Sequence, residues 1–184
     1  ERSRGLGDVY KRQLTVLYGQ DVTPPVGEVT AQITSPTNDN TPSISVRASD
    51  AVSSGANQIT VTATATISGN PGTTVYLKKG AGSFATSVDI TGANTPEALV
   101  IAKLSDGTGL PDCRYTDLKF VFTDLANNSS GPVTADSFII DNTQPSGNEV
   151  TAVPTPRKDQ TPAVEIRGND NMTNPKISCY ICCM

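Results

Sequence analysis

Ile59-Thr-Val-Thr-Ala-Thr-Ala-Thr-Ile67 alternates apolar and hydroxylated residues without a break. Ile59, Val61, Ala63, Ala65 and Ile67 fall on one face and the threonines on the other, which is the period of two of a strand with one face buried. The β-branched threonines suit the solvent side of such a strand. Working outward, the same reading places strands near Glu28 to Thr34, Ser43 to Ala48, Thr73 to Lys78, Ser83 to Ile90, Ala98 to Leu104, Thr116 to Thr123 and Ala135 to Ile140. Turn residues separate them at Gly69-Asn-Pro-Gly72, Gly80-Ala-Gly82, Ser105-Asp-Gly107 and Asn127-Asn-Ser-Ser-Gly131. No segment reads as a convincing helix.

The chain also repeats itself. Asp21 to Asp50 lies over Asp141 to Asp170 without a gap, at an offset of 141 − 21 = 120 residues. The identical pairs are Asp21/Asp141, Thr23/Thr143, Pro25/Pro145, Gly27/Gly147, Pro36/Pro156, Asp39/Asp159, Thr41/Thr161, Pro42/Pro162, Arg47/Arg167 and Asp50/Asp170. Self-similarity at a fixed period marks a tandem array. The expected organisation is one complete unit over 21–140 and the start of the next, cut short, over 141–175, with residues 14–20 as the end of a preceding unit or a linker.

Seven or eight short strands in about 120 residues suggest an all-β, two-sheet antiparallel sandwich. A closed barrel is the alternative. The sandwich is preferred because the units enter and leave through extended Asp-x-Thr-x-Pro linkers, which suit end-to-end stacking. Leu118, Phe120 and Phe122 are expected to point inward from a central strand, opposite Ile44 and Val46.

Composition sets limits on function. The formal net charge is −4, and histidine and tryptophan are absent. Neutralising nucleic-acid phosphates requires a basic face, so a nucleic-acid partner is not expected. Without histidine, Ser-His-Asp and Cys-His catalytic arrangements are excluded, and no carboxylate pair stands out for glycoside hydrolysis. An enzyme is therefore not expected. No stretch approaches the roughly 20 apolar residues of a membrane span. Only Cys113 lies in the complete unit, as an isolated buried or half-buried thiol.

Both ends differ from the middle. Ser3-Arg-Gly-Leu-Gly-Asp-Val-Tyr-Lys-Arg-Gln13 resembles a translated sequencing adapter, so residues 1–13 are set aside as a non-native segment. Lys176-Ile-Ser-Cys-Tyr-Ile-Cys-Cys-Met184 crowds Cys179, Cys182 and Cys183 together, but a zinc site needs four ligands and no histidine completes one. That doubtful tail, 176–184, is read as a truncated end.

Three motifs occur in order within the unit. Asp124-Leu-Ala-Asn-Asn128 followed by Ser129 resembles the Asp-x-Ala-Gly-Asn-x-Ser signature of bacterial Ig-like domains. Phe138-Ile-Ile-Asp-Asn-Thr-Gln-Pro145 resembles that family's last strand and linker, and Ser35-Pro-Thr-Asn-Asp-Asn-Thr-Pro-Ser43 its approach to the second strand. Asn127 stands where the family has glycine, and asparagine is among the few residues that visit the left-handed region. The stretch from Asp50 to Gly72 is longer than usual for the family. The resemblance implies an Ig-like sandwich in a long secreted or surface-anchored bacterial protein, where such units form stalks that hold an adhesive tip away from the cell. It also implies, for some members, calcium at the junctions between units.

Asp21, Asp50 and Asp124 are expected to meet at one pole of that sandwich. Asp39, Asp106, Asp112 and Asp141 are expected near the other, where the next unit brings Asp170. Calcium takes six to eight oxygen ligands, several from carboxylates, so both poles are candidate calcium sites. Each aspartate also reads as a turn former that caps its own backbone without an ion. The functional expectation is a structural spacer repeat in an adhesin-like stalk, extracellular or at the cell surface, whose partners are neighbouring repeats. The alternative is an accessory or ligand (carbohydrate)-binding module of a secreted enzyme; direct ligand binding would be marked by an exposed aromatic platform or a long loop at one pole, with Tyr76, Phe84 and Tyr115 as candidates that read equally as core or edge residues.

Overall fold

A computed structural model describes residues 21–50, 58–151 and 165–169. The expectations for residues 1–20, for the loop at 51–57, for Asp170 and for the tail at 176–184 lie outside the described residues. The architecture is all-β with antiparallel sheets, as expected of a β-sandwich.

The deciding stretch forms β3 (Gln58–Ile67), and its five apolar residues are all buried. It turns into β4 (Asn70–Lys79) through only two residues, Ser68 at φ 52° and Gly69 at φ 80°. Positive φ at both central positions is the tight hairpin turn whose twist matches the flanking strands. Of the turn that composition places at Gly69 to Gly72, only Gly69 is in the turn; Asn70, Pro71 and Gly72 lie inside β4. Ile67 pairs with Asn70 and Ala65 with Thr73, so Thr66 faces two residues and the ladder bulges there. A bulge accommodates a proline with no N–H, and Gly72 takes the left-handed φ of 67°. The Thr66 N–H donates to the Asp117 carboxylate at 2.9 Å, and the Thr66 hydroxyl donates to the same group.

β4 then changes layers. Its first half pairs with β3, and Tyr76 to Lys79 pair with β6 (Glu97–Ala102). Beside β3, β5 (Ser87–Thr91) takes the place β4 vacates, pairing with Gln58 to Thr62. The other edge of β3 carries β8 (Lys119–Thr123), and β8 carries β9 (Val133–Thr134). The second layer is β1 (Val26–Ala31), β2 (Ser43–Ser49), β6 and the end of β4. Because β4 belongs to both layers, one hydrogen-bonded path runs β1-β2-β6-β4-β3-β8-β9, and the sandwich is nearly barrel-like.

The core lies between the layers. Ile44 and Val46 from β2 are fully buried, as are Leu118, Phe120 and Phe122. Gly27 closes the open side: a Cβ there would lie 2.0 Å from Cδ2 of Phe122, so β1 reaches the ring only without a side chain.

The strand expected at Thr116 to Thr123 begins only at Lys119, and a separate short strand precedes it. β7 (Cys113–Tyr115) pairs with β10 (Phe138–Ile140), and the chain bends at 116–118 before β8. The Tyr115 ring stacks on Phe138 with centroids 4.8 Å apart, and its hydroxyl donates to the Pro111 carbonyl at 3.0 Å. The hydroxyl thus reaches back four residues to the main chain and ties β7 to the loop before it. Burial pushes the Tyr115 phenol well above its ordinary pKa, and neighbouring Cys113 adds to the effect. Cys113 is a free, half-buried thiol.

β11 (Ser146–Thr151) pairs with β12 (Glu165–Asn169). The partners Ser146/Asn169, Gly147/Gly168, Asn148/Arg167, Glu149/Ile166 and Thr151/Glu165 are those of β1 and β2 displaced by 120 residues, with the irregularity after Glu149 matching that after Val29.

Candidate metal centre

Three elements deliver one carboxylate each to the same end of the unit. Antiparallel pairing puts the start of β1 beside the end of β2, with Val26 opposite Ser49, so Asp21 and Asp50 emerge together. Asp124 follows β8 directly and opens a tight turn. Its main-chain carbonyl accepts from Asn127 N–H at 3.2 Å, and its own N–H donates to the Asn128 carbonyl at 3.1 Å. Asn127 has φ 66°, the left-handed conformation expected of it from its place in the motif.

Carboxylate oxygens of Asp21, Asp50 and Asp124 all lie within 4.8 Å of one another. This is the grouping expected from the sequence for that pole. Asp21 and Asp50 are half-buried and Asp124 is only 8% exposed. At such a separation each pair of charges repels by about 1 kcal/mol in bulk water and about 3 kcal/mol at an effective dielectric near 20. Burial alone would push the Asp124 carboxyl up. The Asn128 side-chain amide and the N–H groups of Asn128, Ala126 and Asn127 outweigh it and hold the acid below its ordinary range. A concentrated cluster of carboxylate oxygens matches the ligand chemistry of a hard cation such as calcium.

Asn128 fastens the cluster. Its N–H donates to Asp124 Oδ1 at 2.8 Å, and its Nδ2 donates to Asp124 Oδ2 at 2.9 Å and to the Asp21 carbonyl at 3.1 Å. Composition gave no sign of this role, although Asn128 is the last residue of the motif that carries the family resemblance.

Three of the aspartates assigned to the other pole close local turns. Asp39 Oδ1 accepts from Thr41 N–H at 2.9 Å, Asp106 Oδ1 from Thr108 N–H at 2.8 Å, and Asp141 Oδ1 from Thr143 N–H at 3.0 Å. The Thr108 hydroxyl and N–H hold the Asp106 carboxyl below its ordinary range. Asp112 accepts from Asn142 and Thr143 in the linker. Among the described residues these four do not converge as a second group of three carboxylates. Asp170, the remaining member of that set, lies outside the described residues.

Among the described residues no aromatic side chain is exposed. Tyr76 and Phe84 are half-buried, with Lys78 Nζ 4.9 Å from the Phe84 ring centroid, and Tyr115 is in the core. No described helix is long and apolar enough to cross a membrane. Comparison with protein-family models, curated proteins and solved structures found no match to this chain.

Proposed function

We propose that the chain is a non-catalytic spacer repeat from the stalk of a bacterial extracellular or cell-surface adhesin-like protein, with neighbouring repeats as its partners. The observation that carries this reading is the pairing of β11 with β12. It copies the β1–β2 pairing partner for partner, irregularity included, at the 120-residue offset of the sequence identities. A unit that recurs with the same register at a fixed period makes length and spacing the natural product of the fold.

Calcium at the pole of Asp21, Asp50 and Asp124 belongs to the same proposal. A cation there would relieve the repulsion among the three carboxylates and brace the entry to the unit. The reading draws its bacterial and surface setting from the resemblance of the Asp124 to Asn128, Ser35 to Ser43 and Phe138 to Pro145 motifs.

The test is a long-read sequence through this locus in the source DNA. Many further units at the 120-residue period, with a secretion signal and a surface anchor, are expected. One or two units beside a catalytic domain would replace this reading with that of an enzyme's accessory module.

A further inference from the structure

The tripeptide that leaves the unit, Asp141-Asn-Thr143, is held by the unit it leaves. Asp112 Oδ2 accepts from Asn142 N–H at 3.0 Å and from the Thr143 hydroxyl at 3.0 Å, and Asp112 Oδ1 accepts from Asn142 Nδ2 at 3.2 Å. Asp141 N–H donates to the Thr37 carbonyl at 2.9 Å. Within the tripeptide, Thr143 N–H closes a turn on Asp141 Oδ1 at 3.0 Å.

The tripeptide that enters the unit, Asp21-Val-Thr23, sits 120 residues earlier. It makes the same turn, with Thr23 N–H on Asp21 Oδ1 at 3.0 Å. Here it is the following unit that holds it, through Asn128 Nδ2 on the Asp21 carbonyl at 3.1 Å. The two units therefore address different atoms of the equivalent tripeptide. Asp112 takes the second N–H and the third hydroxyl, and Asn128 takes the first carbonyl, so neither hold uses the atom that the other needs.

We propose that every Asp-x-Thr linker of the array is clasped from both sides, by the residue equivalent to Asp112 in the unit before it and the residue equivalent to Asn128 in the unit after it. The partner of each pole is then a second copy of the repeat, joined through a shared tripeptide. The clasp gives both recurring identities of the tripeptide a role: the aspartate closes the turn, and the threonine donates the hydroxyl that Asp112 accepts. At the entry linker Val22 replaces Asn142. That change removes one side-chain donor and keeps the main-chain N–H and the threonine hydroxyl. The inference rests on the spacer reading, which supplies the neighbouring units.

Backbone ¹⁵N relaxation on the full 184-residue chain tests it. Order parameters at Asn142 and Thr143 are expected near the value of about 0.85 typical of rigid backbone, falling below about 0.6 in Asp112→Ala. The thermal midpoint of that variant should stay at the wild-type value, because Asp112 is exposed. Asp112→Asn keeps a side-chain oxygen and should recover most of the rigidity, while Thr143→Val, which alters the linker alone, should lose part of it. Asn128→Ala should loosen Val22 and Thr23 and leave Asn142 and Thr143 as they were. Values already below about 0.6 at Asn142 and Thr143 in the wild type, or values unmoved by Asp112→Ala, would overturn the clasp. The measurement is made within this chain, so its failure is separate from failure of the array reading, which the locus sequence decides.

Discussion

The side-chain amide of Asn128 holds the main-chain carbonyl of Asp21 at 3.1 Å across 107 residues of chain, while also binding the Asp124 carboxylate at 2.9 Å. One side chain thus ties the entry of the unit to the turn after its central strand. Asn128→Ala leaves the 92%-buried Asp124 without its side-chain donor. Because that donor serves a charged group, the expected loss is about 1.5–3 kcal/mol, read as a lower denaturant midpoint at unchanged slope.

Calcium should act at the same pole. Melting the chain with calcium and with chelator is expected to give a higher midpoint with the ion. Asp124→Asn should shrink that difference, because it removes one of the three charges whose oxygens lie within 4.8 Å. Equal midpoints with and without calcium in the wild type would remove the ion from the account.

Gly27 and Phe122 set a steric limit. A Cβ at Gly27 would meet the Phe122 ring at 2.0 Å, so Gly27→Ala should cost about 1–3 kcal/mol through displaced core packing. Adding Phe122→Leu should make the second change less costly than it is alone. Strict additivity in a double-mutant cycle would show that the two positions are not in contact.

Acid should unfold the chain through several carboxylates together. Hydrogen bonds hold Asp117 and Asp124 below their ordinary range; for Asp117 the Thr66 hydroxyl is the largest influence, and for Asp124 the bonds act against the upward push of burial. Burial also pushes Glu97 up, and bonds from Lys79 and Thr91 overcome it. A folded value below the unfolded one means the stabilisation is present above the unfolded pKa of about 4 and is lost as pH falls through the lower folded value. The thermal midpoint should therefore be flat from about pH 7 to 5 and fall below about pH 4. A fall that begins near pH 6 would contradict this assignment.

Tyr115→Phe isolates the hydroxyl bond to Pro111. The ring keeps its stack on Phe138, so only the hydroxyl bond to Pro111 is lost, with an expected cost of about 0.5–1.5 kcal/mol in chemical denaturation.

Much of this fold is legible in residue pattern. The alternation from Ile59 to Ile67 fixes a strand and its buried face, and Leu118, Phe120 and Phe122 face Ile44 and Val46 across the core as their spacing implies. The pole of Asp21, Asp50 and Asp124 also follows once the strand order is set, because the start of one strand and the ends of two others must share an end. What the pattern hides is partner choice. Nothing in Asn70 to Lys79 announces that its first half pairs with β3 and its second with β6. Pro71-Gly72 is a stronger turn signal than Ser68-Gly69, yet the hairpin spends it on a bulge because twist favours a two-residue turn. Asp112 reads as one more acid of a pole. Its use by the linker depends on the return of β10 beside β7, which is set by tertiary packing.

The central claim is that these units form a stiff spacer. Joining residues 21–140 in twos, threes and fours through the native linker at 141–145 and measuring small-angle X-ray scattering tests it most directly. A maximum dimension that grows by an equal increment with each added unit is the predicted result. An overall size that grows only as about the square root of the number of units, as flexibly linked beads would give, would contradict it.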